Sequence, residues 1–63
     1  MSQEYMILQH MRQEPITPID ALQEYGCFRL AARIKDLRDM GYTIHTDIIR
    51  KGGKRFASYR LVR

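Results

Sequence analysis

Hydrophobic residues recur at two different periods along this chain of 63 residues. They lie three or four positions apart up to residue 40, and two positions apart after it. The first spacing is typical of amphipathic helices and the second of β-strands. The pattern therefore predicts helices over residues 2–13, 18–25 and 28–40, and strands over residues 42–50 and 55–62. A chain of this length buries one small core, so we expect one domain over residues 1–63.

The start of the second helix carries the sharpest local signal. Thr17 is a good N-cap, Pro18 suits the first helical position, and Asp20 stands where the acid of a capping box is needed. Ile19 and Leu22 are expected to form a narrow apolar face of this helix. Ile16, which precedes the cap, is expected to pack on Ala21 as a hydrophobic staple.

Glycines mark the ends of the elements that follow. Gly26 separates the second helix from the third, whose apolar stripe is Leu30, Ile34 and Leu37, and Gly41 stands where that helix should end. The pair Gly52-Gly53 between two β-rich runs predicts a hairpin. Two helices joined by a tight turn and followed by a hairpin are the layout of a helix-turn-helix with a β wing. The predicted fold class is α+β, a winged helix-turn-helix of three helices followed by a two-stranded hairpin.

Charge is divided unevenly along the chain. The net charge is +4, from 11 basic and 7 acidic residues, but residues 1–28 sum to −3 and residues 29–63 to +7. From residue 50 onward there is no acid, and the bases are Arg50, Lys51, Lys54, Arg55, Arg60 and Arg63. Such a concentration of positive charge favours phosphate as a partner. The alternative is a solvated basic tail that keeps the protein in solution.

The third helix is the predicted reading element, because a helix in this position can enter the major groove of DNA. Opposite its apolar stripe, two arginines one turn apart can each fork onto guanine or phosphate, while Lys35 and Arg38 on the flank suit the DNA backbone. The alternative is an ordinary exposed helix surface in which Arg33 and Asp36 form a salt bridge. The DNA-binding residues predicted on this helix are Arg29, Ala32, Arg33, Lys35, Asp36 and Arg38.

The hairpin tip supports the same interpretation. Lys51, Lys54 and Arg55 flank two glycines, so their charges can approach a phosphate or a narrow minor groove. The alternatives need no ligand: Gly-Gly makes a good type I′ turn, and lysines at a sheet edge protect against aggregation.

The sequence contains no pattern typical of catalysis, a metal site or a cofactor site. His10, His45 and Cys27 lie on different elements without metal-ligand spacing, and Cys27 is expected to fill the turn between the second and third helices. The hairpin carries three aromatic residues that could form a platform for single-stranded nucleic acid: Tyr42, Phe56 and Tyr59. We expect their rings to cover the helical core instead. One cysteine and no apolar run of membrane-spanning length predict a cytoplasmic protein without a membrane partner. The predicted binding of DNA would make this protein nucleoid-associated.

Several segments together carry a family resemblance. They are Ile16-Thr17-Pro18, Ala21-Leu22, Tyr25-Gly26, Arg29-Leu30-Ala31-Ala32-Arg33-Ile34, Asp36-Leu37-Arg38, Gly41-Tyr42-Thr43-Ile44, Gly53-Lys54-Arg55-Phe56-Ala57 and Tyr59-Arg60-Leu61. After Gln13, nearly the whole chain resembles the small winged helix-turn-helix proteins of bacteriophages and prophages. The resemblance implies a DNA-binding or phage regulatory role in a bacterial host, with Arg29 and Arg33 on the recognition helix and Lys54 and Arg55 in the wing.

Two function hypotheses follow. The first is a double-stranded DNA-binding protein of phage or prophage type, either a transcriptional regulator or an excisionase-like architectural factor. The second is an interaction or inhibitor module that binds a host or phage protein, because the acidic first half has no role in DNA binding. Both predict a homodimer, since one domain of this size offers little area for specific affinity.

Overall fold

Three helices precede a two-stranded antiparallel hairpin in the computed structural model, which describes residues 2–62. The predicted fold class and element order are confirmed. The elements are α1 (Gln3–Gln13), α2 (Pro18–Tyr25), α3 (Leu30–Asp39), β1 (Ile44–Lys51) and β2 (Lys54–Leu61). Arg63, which the sequence places in the basic run, lies outside the described residues, as does Met1.

The predicted capping of α2 is confirmed. The Thr17 hydroxyl accepts from the Asp20 backbone N–H at 3.2 Å, and the Asp20 carboxylate accepts from the Thr17 N–H at 3.1 Å. These two bonds satisfy donors that a helix start leaves without partners. Both predicted ends of α2 are correct, whereas α1 begins one residue later than predicted because Ser2 is its N-cap.

Helix α3 is shorter at both ends than the predicted range 28–40. At its start, the Cys27 N–H still donates to Ala21 in α2, and Arg29 has the non-helical angles φ −126° and ψ 62°. At its end, Gly41 takes a left-handed φ of 106° and the Tyr42 N–H donates back to the Leu37 carbonyl at 3.2 Å. This helix-ending bond also explains why β1 begins at residue 44 and not at 42, since the Tyr42 amide is not free to pair with a strand.

The hairpin turn has the predicted chemistry. Gly52 and Gly53 have φ angles of 59° and 77°, and positive φ at both positions is what a type I′ turn requires. The ladder around the turn is one residue longer on each side than predicted, because Lys51 pairs directly with Lys54. At its other end β2 stops at Leu61, one residue before the predicted end.

The core lies between the three helices and the base of the hairpin. Ile16 links these parts: its side chain is fully buried, and its backbone exchanges two hydrogen bonds of 2.9 Å with Tyr59 of β2. Tyr42 and Tyr59 pack against the core as predicted, whereas Phe56 on the wing is only half-buried and is not among the residues packed against it. The buried hydrophobic residues are Ile7, Leu8, Met11, Ile16, Ala21, Cys27, Leu30, Ile34, Leu37 and Ile44.

Helix α2 does not present the predicted apolar face to this core. Ile19 and Leu22 are exposed, and Ala21 is the residue of α2 that is buried. Ile16, two positions before the helix begins, is fully buried, and the helix meets the core through the small side chain of Ala21. Tyr25 follows on the same face and is partly buried against the core. The expectation that Cys27 fills the turn after α2 is confirmed by its burial.

No helix within residues 2–62 has the length and apolar character needed to cross a bilayer.

Candidate nucleic-acid interface

The wing tip brings like charges face to face. In the register of the hairpin, Arg50 lies opposite Arg55, and Lys51 lies opposite Lys54. Directly opposed residues project from the same face of a sheet and successive pairs from opposite faces, so each face carries one pair of cations. All four residues are exposed, and none forms an ion pair with any carboxylate of the described residues. Like charges in this position oppose strand pairing, so an anion bound between them would relieve a repulsion.

The tip is also concave. Arg50, Lys54 and Arg55 line a shallow cleft of about 360 Å³ together with Gly53. Arg50 belongs to this site, although the cations predicted there from the sequence are Lys51, Lys54 and Arg55. The signal was present in the sequence, because a two-residue Gly-Gly turn fixes the pairing of 50 with 55 as firmly as that of 51 with 54.

The third helix departs from the prediction at Arg33. We expected this side chain on the outer face, opposite Leu30, Ile34 and Leu37, and that placement is wrong. Its guanidinium lies against α1, where Nη1 donates to Glu4 Oε1 at 2.9 Å, and its side chain is only 32% exposed. Its Nη2 lies 3.4 Å from Asp36 Oδ2, which is the salt bridge considered as the alternative. In the free protein Arg33 therefore joins α1 to α3.

Glu4 is the partner that sequence reasoning missed. The pKa of its carboxyl lies below its ordinary value, chiefly because the backbone N–H of Glu4 donates to the carboxylate. Desolvation acts in the opposite direction, and the charge of Arg33 then lowers the pKa further. A lowered pKa means that the folded protein favours the ionised form of Glu4.

This preference predicts a pH-dependent stability. The contribution of Glu4 is complete above the ordinary pKa of the carboxyl and is lost as the pH falls through the lowered value. We expect Glu4→Gln to reduce the urea midpoint at neutral pH and to narrow the gap between neutral and acidic midpoints. Unfolding followed by circular dichroism at both pH values checks this. Asp39→Asn, which removes an exposed carboxylate paired only with Lys35, is the control and should change little. An unchanged neutral midpoint for Glu4→Gln would show that the pair with Arg33 is not stabilising.

The other predicted cations of α3 differ in how they are engaged. Arg38 Nη2 donates to the Ile44 carbonyl at 2.7 Å and to the Thr46 hydroxyl at 3.0 Å, so this side chain fixes the start of β1 to α3. Lys35 is well exposed and forms a surface pair of 3.4 Å with Asp39. Because such pairs are weak, Lys35 can leave Asp39 for a stronger partner, whereas Arg38 would have to give up two hydrogen bonds.

Arg29 lies at the N-cap of α3 and is exposed. Its side chain makes no capping bond, and it has no ion pair with a carboxylate among residues 2–62. No acid stands in the first turn of α3, so negative charge does not oppose the approach of a phosphate there. Ala32 is partly exposed, and Asp36 is partly exposed beside Arg33.

A different cluster occupies the contact between α1 and α2. The buried His10 has Nδ1 at 2.9 Å from the Tyr25 hydroxyl and at 3.3 Å from Glu24 Oε2, and its Nε2 is 3.6 Å from Glu14 Oε1. Burial raises the pKa of Tyr25, and the charges of Glu24, Glu14 and Asp20 raise it further. Among the described residues no three His, Cys, Asp or Glu side chains are grouped to hold a metal. Because Glu14 and Glu24 are exposed, the cluster gives the surface of α1 and α2 a negative charge.

Comparison with known protein families agrees with this geometry. Residues 2–63 match the family model described as a winged helix-turn-helix domain. The chain belongs to that family. No curated protein and no solved structure matches it. The matched range includes both α3 and the basic hairpin. The family description names the fold and no phage origin.

Proposed function

We propose that this winged helix-turn-helix protein binds double-stranded DNA, with the wing tip as its main phosphate contact. The observation that carries the proposal is the pair of opposed cations on each face of the hairpin tip. A protein that holds four such charges together without carboxylate partners loses stability when it is free and regains it on a polyanion. A basic tail kept only for solubility would not need the charges in register.

Helix α3 supplies the second part of the interface. Arg29 and Lys35 are the cations of this helix that are exposed and either unpaired or weakly paired, so they are its available phosphate or base contacts. Ala32 offers the close approach that a base edge or a thymine methyl requires. Arg33 and Asp36 act in this proposal by setting the position of α3 against α1. Arg38 acts likewise by fixing β1.

The salt dependence of DNA binding tests this proposal. Five cations have neither an ion pair nor a side-chain hydrogen bond among the described residues, whereas Arg38 is hydrogen-bonded to β1. They are Arg29, Arg50, Lys51, Lys54 and Arg55. Five phosphate contacts correspond to a slope of about −4.5 in log K against log salt concentration. We expect that slope in mobility-shift titrations with a random duplex at several salt concentrations. A flat response would contradict the proposal.

The finer biological role is a transcriptional regulator or an excisionase-like architectural factor of phage or prophage type. The resemblance over the segments from Ile16 to Leu61 supports it. Sequencing the bound fraction of a randomised duplex pool separates the two roles. An enriched motif is expected of a regulator, and salt-sensitive binding without a motif is expected of an architectural factor.

A second candidate function is protein binding through α1 and α2, as an interaction or inhibitor module. Two exposed features of these helices favour it: the acids Glu14 and Glu24, and the apolar residues Ile19 and Leu22 of α2. This candidate predicts a stoichiometric protein partner that is retained after nuclease treatment and lost on Glu14→Gln/Glu24→Gln. Retention of the same partner by that variant would argue against it.

A further inference from the structure

Phe28 is the most exposed of the large hydrophobic residues of the described chain, at 86%. It belongs neither to the core nor to the cations already assigned to the interface. Single exposed apolar residues are common and do not by themselves indicate a binding site. The position of this one is what distinguishes it, because it stands two residues before the first residue of α3.

The segment that carries Phe28 is anchored on both sides. Cys27 and Leu30 are each only 3% exposed, and the Cys27 N–H donates to Ala21 at 3.0 Å. The backbone between these anchors cannot turn Phe28 inward without withdrawing a buried neighbour. The phenyl ring is therefore held in the solvent beside the start of α3, and its exposure does not come from a loose segment.

The start of the second helix in a helix-turn-helix is the part that reaches base edges. The surroundings of Phe28 suit that position, because Arg29 follows it directly and the first turn of α3 contains no acid. An aromatic ring cannot hydrogen-bond to a base edge. The apolar group that B-DNA offers in the major groove is the C5-methyl of thymine, and apolar side chains recognise it by contact.

We propose that Phe28 packs against thymine methyl groups in the major groove and so determines part of the sequence preference of this protein. This inference rests on the proposed DNA-binding function. It assigns to an uncharged residue the discrimination that we first expected of Arg33, whose guanidinium is engaged by Glu4. The cations of the wing and α3 would then supply affinity, and Phe28 would supply preference.

The test compares two duplexes that differ only in the methyl group. One is alternating dA·dT and the other is alternating dA·dU of equal length, so charge and hydrogen-bonding groups are the same. We expect the wild-type protein to bind the thymine duplex about four-fold or more tightly, since burying one methyl-sized group is worth about that factor. We expect Phe28→Ala to bind both duplexes equally with an unchanged salt slope, and Phe28→Leu to keep part of the preference.

Met40→Ala is the matched control, because Met40 is an exposed apolar residue at the opposite end of α3 and should leave the thymine preference intact. Equal wild-type binding to both duplexes, or a preference that survives Phe28→Ala, would overturn the inference while the DNA-binding function stands. Absence of salt-dependent binding to either duplex would overturn the function as well. If Phe28→Ala abolished self-association in sedimentation while the thymine preference persisted, the ring would belong to a contact between two copies and the inference would be wrong.

Discussion

Neutralising the wing tip is expected to weaken DNA binding on the order of a thousand-fold at about 0.1 M salt. The variant replaces Arg50, Lys51, Lys54 and Arg55 by glutamine. Each phosphate contact releases close to one counterion, and at this salt concentration each release contributes roughly eight-fold to the binding constant. Four lost contacts therefore remove most of the affinity. The salt slope should fall from about −4.5 to about −1, because Arg29 is then the only one of the five unpaired cations that remains.

The stability of the same variant should move in the opposite direction. Arg50 faces Arg55 and Lys51 faces Lys54, so their replacement removes two cross-strand repulsions. We expect a urea midpoint at least as high as that of the wild-type protein. Loss of binding in a protein of undiminished stability would place the defect in the interface and not in the fold.

Two double variants separate the faces of the hairpin. Arg50→Gln/Arg55→Gln and Lys51→Gln/Lys54→Gln each remove two charges from one face, and the control Arg12→Gln/Arg60→Gln removes two charges elsewhere. Arg60 is already paired with Asp47 at 3.2 Å, so the control should change the slope little. Equal losses in all three variants would show that binding follows net charge alone, and the wing would have no special part in it.

The features predicted correctly from the sequence are those decided by neighbours in the chain. The capping of α2 depends on Thr17, Pro18 and Asp20, which lie within four positions of one another, and both ends of that helix were predicted without error. The turn at Gly52-Gly53 is equally local, and it fixes the whole register of the hairpin once the two strands are recognised. The cationic wing tip, including Arg50, can therefore be predicted from the sequence.

The features that could not be predicted from the sequence depend on residues that only the folded structure brings together. The sequence-based prediction places Arg33 on the outer face of α3, opposite the apolar stripe, whereas the approach of α1 brings its guanidinium to Glu4, 29 residues earlier in the chain. Arg38 was assigned to DNA for the same reason, because its acceptors Ile44 and Thr46 become neighbours only when the hairpin folds back on α3. A free cation and a structural cation look alike in a sequence, and the difference lies in which acceptor the fold brings within reach.

Ile16 and Ile19 show the same limit among apolar residues. Ile16 lies just before α2, and Ile19 lies in its first turn. The sequence predicts that both are buried, but in the structure Ile16 is fully buried and Ile19 is 57% exposed. We therefore expect very different effects from one and the same substitution. Ile16→Ala should cost about 2–5 kcal/mol, because it opens a cavity in a closely packed core. A core of this size supplies about 3–5 kcal/mol in total, so this variant should be largely unfolded at 37 °C.

Far-UV circular dichroism and urea unfolding of the two variants check this expectation. Ile19→Ala removes the same atoms from the surface of α2 and should stay within about 0.5 kcal/mol of the wild-type free energy of unfolding. The backbone bonds between Ile16 and Tyr59 do not involve the side chain, so a large loss in Ile16→Ala would measure packing at the junction of α1, α2 and β2. A urea midpoint for Ile16→Ala close to that of Ile19→Ala would contradict the conclusion that the buried side chain of Ile16 stabilises the core. Because the wing can act only if this junction holds β2 in place, DNA binding by Ile16→Ala should fall with the fraction of folded protein.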